Sequence, residues 1–139
     1  MDATARWFVL KPWDFDVLVT ENMFGDILSD LGAGLMGGLG VAPSADIGLK
    51  HAVFQPCHGS APDIAGQGIA NPMAMILSAA MMLEWLGVRS EAPALREDGR
   101  VLREAGERVI SGGQVLTADF GGQATTEQAA AAVAAELGL

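Results

Sequence analysis

Asp26 and Asp30 stand four apart in E-N-M-F-G-D-I-L-S-D, residues 21–30. On a helix that spacing sets both carboxylates on one face, with Cβ atoms about 5–6 Å apart. Like charges so placed repel, and water or a cation relieves them. Hard divalent cations take oxygen ligands, and Mg²⁺ keeps several waters while accepting one or two carboxylates plus oxygens of another ligand. Two aspartates therefore suffice for part of such a site, and equally for a solvated helix face. Asp2 is a further candidate ligand, though nothing in its local sequence singles it out.

A second group lies in His58-Gly59-Ser60-Ala61-Pro62-Asp63. Gly59 lets backbone N–H groups approach an anion, and Ser60 adds a hydroxyl donor. Asp63 could accept hydrogen bonds from a ribose diol and would repel a 2′-phosphate. A polar surface loop with a structural His58 is the bland alternative. Cys57 and His58 are neighbours in sequence, which does not make a nucleophile–base pair, and His51 reads as a surface histidine. No G-x-G-x-x-G follows a strand and no P-loop pattern occurs, so any nucleotide is held by another device.

The elements that must position these groups follow from pattern. Residues 2–10 have helical composition, ended by Pro12. Residues 15–20, F-D-V-L-V-T, read as a strand. A helix over 23–36, started by Glu21 or Asn22, carries an apolar stripe of Ile27, Leu28, Leu31 and Leu35. Residues 40–47 read as loop, 52–55 as a short strand, and 56–68 as an irregular loop whose length suggests function. Asn71 and Pro72 suit the N-cap and first position of a helix that Gly87 should stop. Both of its apolar faces, Ile76/Ala80/Leu83 and Met75/Ala79/Met82, predict burial on most sides. A helix over 91–110 turns Leu95, Leu102, Ala105 and Val109 inward. After a turn-rich 117–123, Thr125 or Thr126 caps a last helix ending at Gly138. Strands separated by helices predict an α/β arrangement.

Bulk properties bound the function. The chain has 139 residues, half of them hydrophobic, with a formal net charge of -9. Such a chain can build a core, and its charge argues against nucleic acid or an anionic membrane as partner. The lone Cys57 excludes an internal disulfide framework and suggests a reducing, cytoplasmic setting. The N-terminus shows no signal peptide, and the apolar stretch 69–86 is too broken by Asn71, Pro72, Ser78 and Glu84 to span a membrane. The start within a helical pattern leads us to expect a truncated chain.

Together, F-D-V-L-V-T-E-N-M-F-G-D-I-L-S-D, G-G-L-G-V-A-P-S-A-D-I-G and H-G-S-A-P-D-I-A-G-Q-G-I-A-N-P resemble the β-decarboxylating dehydrogenases that act on isopropylmalate, homoisocitrate, isocitrate and tartrate or malate. The resemblance runs in order from Asp2 to the C-terminus. It implies the C-terminal part of an isocitrate/isopropylmalate dehydrogenase-like α/β fold. Residues 1–37 would end the dimer-forming, metal-binding domain, and 38–139 would complete the cofactor-binding domain. It implies oxidation of a 2-hydroxy acid by NAD followed by loss of CO₂, assisted by Mg²⁺ or Mn²⁺. Asp26 and Asp30 match the family's metal ligands, and Asp2 a third supplied across a homodimer interface. Leu39, Gly40, His58, Gly59, Ser60, Ala61, Asp63, Ile64 and Asn71 match cofactor positions, and Asp63-Ile64 resembles the NAD-preferring pattern. Gln55 replaces a frequent glutamate and Cys57 a small apolar residue.

The same resemblance implies what is not in these 139 residues. Family members are more than twice as long, and their N-terminal part holds the substrate arginines and the catalytic tyrosine and lysine. The expectation is a portion inactive alone. A subunit needing a separate N-terminal partner and a non-catalytic nucleotide-binding or assembly module are the alternatives.

Overall fold

Helix α1 (Asp2–Leu10) stops ahead of Pro12, which lacks an N–H and disfavours α conformation in the residue before it. The structure is a computed structural model that describes residues 2–139, with the backbone alone at Asp2. After a 3₁₀ turn at Pro12–Asp14, residues 15–20 form no strand, contrary to their composition. Among the described residues no strand pairs with them, and Val17 and Val19 are 81% and 93% exposed. A β-branched run needs a pleated neighbour to pack on, and here it has none.

Helix α2 (Asn22–Met36) follows the expected span. It ends at Gly37, whose φ of 117° only glycine adopts readily; the Gly38 N–H donates to the Ala33 carbonyl at 2.8 Å, closing the helix end. Of its apolar stripe, Leu28 is buried and Leu31 half-buried, whereas Ile27 and Leu35 are exposed. Helix α1 lies against it at Gly32, where an added Cβ would sit 3.3 Å from the Phe8 ring. Phe8 in turn meets Phe15 edge-on, with ring centroids 5.7 Å apart.

Residues 40–47 are not loop. A 3₁₀ turn at Leu39–Val41 leads into β1 (Pro43–Ile47), which pairs antiparallel with β2 (Ala52–Pro56) in the register Pro43↔Pro56 to Ile47↔Ala52. The two prolines sit opposite each other at the end of the ladder, where a missing N–H is tolerated. Arg89 fixes the hairpin tip by donating from Nη1 and Nη2 to the Leu49 and Lys50 carbonyls at 3.2 and 3.3 Å.

Helix α3 (Met73–Arg89) runs past Gly87. That glycine is an internal crossing point and not a stop: a Cβ there would lie 2.7 Å from Arg96 Cα. Helix α4 (Pro93–Gly112) passes so close at Gly99 that a Cβ would lie 2.8 Å from the Ala80 carbonyl oxygen and from the Glu84 backbone nitrogen. Beside this crossing Arg103 donates from Nε and Nη2 to both oxygens of Glu84 at 3.0 and 2.7 Å. Those hydrogen bonds hold the guanidinium above its ordinary pKa against its partial burial. Burial around α3 is less complete than its composition predicts, since Met75 and Met82 are exposed.

Helix α5 (Thr126–Glu136) begins with a capping box: Gln128 N–H donates to Thr125 Oγ1 at 3.2 Å, and Thr125 N–H donates to Gln128 Oε1 at 2.9 Å. Val41, Met73, Ala105, Val109 and Val133 form the core, drawing on the turn before β1 and on α3, α4 and α5. The described residues include no helix long and apolar enough to cross a membrane.

Two substitutions test this packing. Gly99→Ala should destabilise by about 1–3 kcal/mol through overpacking, although helix propensity alone predicts a gain of about 1 kcal/mol; urea unfolding gives the sign. Thr125→Ala should lose about 1 kcal/mol through the missing cap, read in the same way.

Candidate functional site

Strand β2 hands the chain to the glycine-rich loop. The Cys57 N–H donates to the Ala42 carbonyl at 3.1 Å, extending the hairpin pairing by one bond. His58 Nδ1 lies 2.9 Å from the Gly59 carbonyl, an acceptor only, so this hydrogen bond requires the proton on Nδ1. Ala61 takes the left-handed conformation, φ 44°, which costs a side-chain-bearing residue roughly 1–2 kcal/mol. A 3₁₀ turn at Pro62–Ile64 follows, with the Gln67 Nε2 donating to the Asp63 carbonyl at 2.9 Å. The far end of the loop is tied to α5, where Thr126 donates its N–H to the Gly68 carbonyl at 2.8 Å and its hydroxyl to the Ala70 carbonyl at 2.6 Å.

This loop walls a cavity of about 760 Å³. Leu39, Gly40, His58, Gly59, Ser60, Ala61, Ile64 and Asn71 all line it, so residues up to thirty-two apart in number share one concavity. Asp63 is exposed and stands outside the lining. Ala118 and Asp119 join the lining without having been singled out from sequence. Their signal was weak there, because a lone aspartate in a turn-rich connection has no spacing to mark it.

The Asn71 side chain, at the edge of the cavity, is held from both ends of its carboxamide. Its Oδ1 accepts the Met73 N–H at 3.0 Å, so it holds the first turn of α3 from one residue before the N-cap, which is Pro72 and not Asn71 as the sequence suggested. Its Nδ2 donates to Asp119 Oδ2 at 3.0 Å. Gly40 completes the junction: a Cβ there would lie 3.0 Å from Asn71 Cβ and collide with Asp119. A second cavity of about 750 Å³ lies between the 113–124 connection and α5 and contains none of the sequence-predicted residues.

Asp26 and Asp30 lie on the exposed surface of α2, away from the cavity lining. Neither makes a side-chain ion pair among the described residues, where no group of three metal-ligating side chains converges. The Asp2 side chain lies outside the described residues. Two solvent-facing carboxylates on successive turns match the donor chemistry of part of a hard-cation site that leaves room for water and substrate oxygens.

Comparison with known proteins gives these residues a context. The isocitrate/isopropylmalate dehydrogenase family matches residues 1–134. The chain is 55% identical over 127 residues to isocitrate/homoisocitrate dehydrogenase of Thermus thermophilus, covering 91% of this chain and 36% of that protein. It is 51% identical over 137 residues to 3-isopropylmalate dehydrogenase of Archaeoglobus fulgidus, covering 99% and 40%. The crystal structure of isocitrate dehydrogenase from Methylococcus capsulatus superposes with a TM-score of 0.88 at 46% identity, over 98% of this chain and 39% of that one. The chain thus spans about two-fifths of the length of these relatives. Its mixed, mostly helical structure is a piece of their α/β fold. The chain belongs to the isocitrate/isopropylmalate dehydrogenase family.

Proposed function

We propose that this chain is the metal- and cofactor-binding portion of an NAD-dependent dehydrogenase that oxidatively decarboxylates a 2-hydroxy acid of the isopropylmalate, homoisocitrate or isocitrate type. The observation that carries the reading is the convergence of the loop 58–64 with Leu39, Gly40 and Asn71 on one cavity. In this reading the Gly59 and Ser60 backbone and the Ser60 hydroxyl bind the phosphates, since glycine permits close backbone approach and the hydroxyl adds a donor. Asp63, at the loop's exposed edge, accepts hydrogen bonds from the ribose diol and disfavours a 2′-phosphate. His58, Ala61, Ile64 and Asn71 enclose the rest of the nucleotide, with Leu39-Gly40 toward the nicotinamide.

Asp26 and Asp30, with Asp2 from a second copy, would hold Mg²⁺ or Mn²⁺. When bound, the cation supplies Lewis-acid chemistry, acidifying the substrate hydroxyl and stabilising negative charge as CO₂ leaves. The two carboxylates hold and orient it; proton transfer falls to residues outside these 139. Residues 1–37 are proposed to end the dimer-forming domain and 38–139 to belong to the cofactor-binding domain. Two features support that division: the packed cluster of Val41, Met73, Ala105, Val109 and Val133 lies wholly within the later segment, and the earlier segment exposes Trp13, Val17, Val19, Met23 and Ile27. Such an apolar surface suits a homodimer or a separate N-terminal partner. The single cysteine suits a cytoplasmic protein.

A second reading, a nucleotide-binding module without catalysis, is favoured by a cavity formed within this chain alone. Calorimetry with NAD tests the nucleotide site that both readings share: binding by the pure chain supports it, and none at millimolar concentration counts against it. The pure chain, given isopropylmalate, homoisocitrate, isocitrate, malate or tartrate with NAD and Mn²⁺, should form no NADH; robust NADH production would overturn the incomplete-site reading. Mn²⁺ should broaden amide resonances around residues 26–30, and the double variant Asp26→Asn/Asp30→Asn should abolish that broadening. Equal broadening in the variant would remove these aspartates from the metal site.

A further inference from the structure

We infer that Asp119 is a positioning residue for the cavity, acting by fixing which way the Asn71 carboxamide faces. The inference rests on the reading of the cavity as a nucleotide site and adds a residue to it. Three separate parts of the chain meet at this point: Gly40 in the turn before β1, Asn71 ahead of α3, and Asp119 in the 3₁₀ turn Ala118–Phe120. All three line the cavity.

The polarity of the contacts decides the orientation. Asn71 Oδ1 accepts a backbone N–H from Met73, and Nδ2 donates to the Asp119 carboxylate. A flipped carboxamide would turn its oxygen onto the carboxylate and its NH₂ onto the Met73 N–H, setting acceptor against acceptor and donor against donor. Both mismatches oppose the flip, so one orientation remains. It leaves Asn71 one Nδ2 proton and one Oδ1 lone pair, a donor and an acceptor of fixed sense for a ligand.

Asp119 is itself held. Its Oδ1 accepts the hydroxyl proton of Thr117, a residue only 2% exposed. The carboxylate therefore bridges a buried anchor and the cavity edge, and Gly40 lets it approach because a side chain there would collide with it. Sequence spacing hides this arrangement, since 48 positions separate Asn71 from Asp119.

Two variants and two readouts test it on the whole chain. Asp119→Asn keeps an acceptor for Asn71 Nδ2, while Asp119→Ala removes it. In Asp119→Ala the Asn71 side-chain NH₂ resonances should collapse toward solvent-exposed values, and NAD affinity should fall about tenfold, the worth of one hydrogen bond. Asp119→Asn should restore both, with thermal unfolding confirming that each variant is folded. Unchanged Asn71 resonances in Asp119→Ala, or NAD affinity equal to wild type in both variants, would overturn the inference. Loss in Asp119→Asn as severe as in Asp119→Ala would also overturn it, by showing a direct role for the charge. Should Asp119→Ala fail to fold, Thr117→Val supplies the graded disturbance, with the same resonances expected to shift. Absence of NAD binding by the wild-type chain is a different failure: it overturns the nucleotide reading and the ligand half of this inference, while the Asn71 resonances still decide the positioning half.

Discussion

The close crossing of α3 and α4 is the constraint on which the rest of this structure depends. Two helices can approach backbone to backbone only where side chains are absent, and Gly87 and Gly99 provide those places. Ala80 and Ala105, both fully buried, keep the neighbouring surface thin. Overpacking forces rotamers and backbone away from their minima, so a methyl group at Gly99 acts against the helix propensity it improves. The Glu84–Arg103 pair then fixes the rotation of one helix against the other with a bidentate contact, the geometry in which an ion pair adds orientation as well as energy.

That crossing determines where the cavity can be. The N-terminal end of α3 carries Asn71, and the buried Ser78 hydroxyl lies 2.8 Å from the Gln55 carbonyl, linking α3 to the end of the hairpin. The hairpin in turn delivers the loop that begins at Cys57. From the other side, α5 ties down the loop at Gly68 and Ala70. A loop rich in glycine and proline has few internal contacts of its own, so its shape comes from these outside attachments. The strained Ala61 is consistent with such a frame, because a left-handed alanine persists only where its surroundings impose it.

The N-terminal segment has a different balance. Its helices meet through small contacts, Gly32 against Phe8 and Phe8 against Phe15, while Trp13, Val17, Val19, Met23 and Ile27 face outward. Apolar surface of this extent is normally covered in an assembled protein. The chain spans about two-fifths of the length of its relatives. Local sequence can encode a strand or an apolar stripe here, but among the described residues nothing pairs with the first and only part of the second is buried.

Sequence alone established the helices with strong local signals. Pro12 ended α1, the apolar stripe carried α2 to Met36, and a threonine at 125 or 126 opened α5, because such signals act within a turn or two and need no tertiary partner; the Gly37 cap and the Gln128 half of the capping box were seen only in the structure. The family, too, was legible in the order of its motifs. Other features required the fold. Residues 43–47 became a strand only through pairing with 52–56, and residues 15–20 did not because nothing pairs with them. Gly87 resembled a stop signal, yet its meaning lay in Arg96 across the helix crossing. Asp119 showed no signal in a turn-rich connection, and became part of the cavity because a side chain 48 positions away donates to it. Caps, periodicity and motif order depend on neighbours along the chain. Strand pairing, close approach and the fixed sense of a carboxamide depend on neighbours in space, and those only the tertiary structure decided.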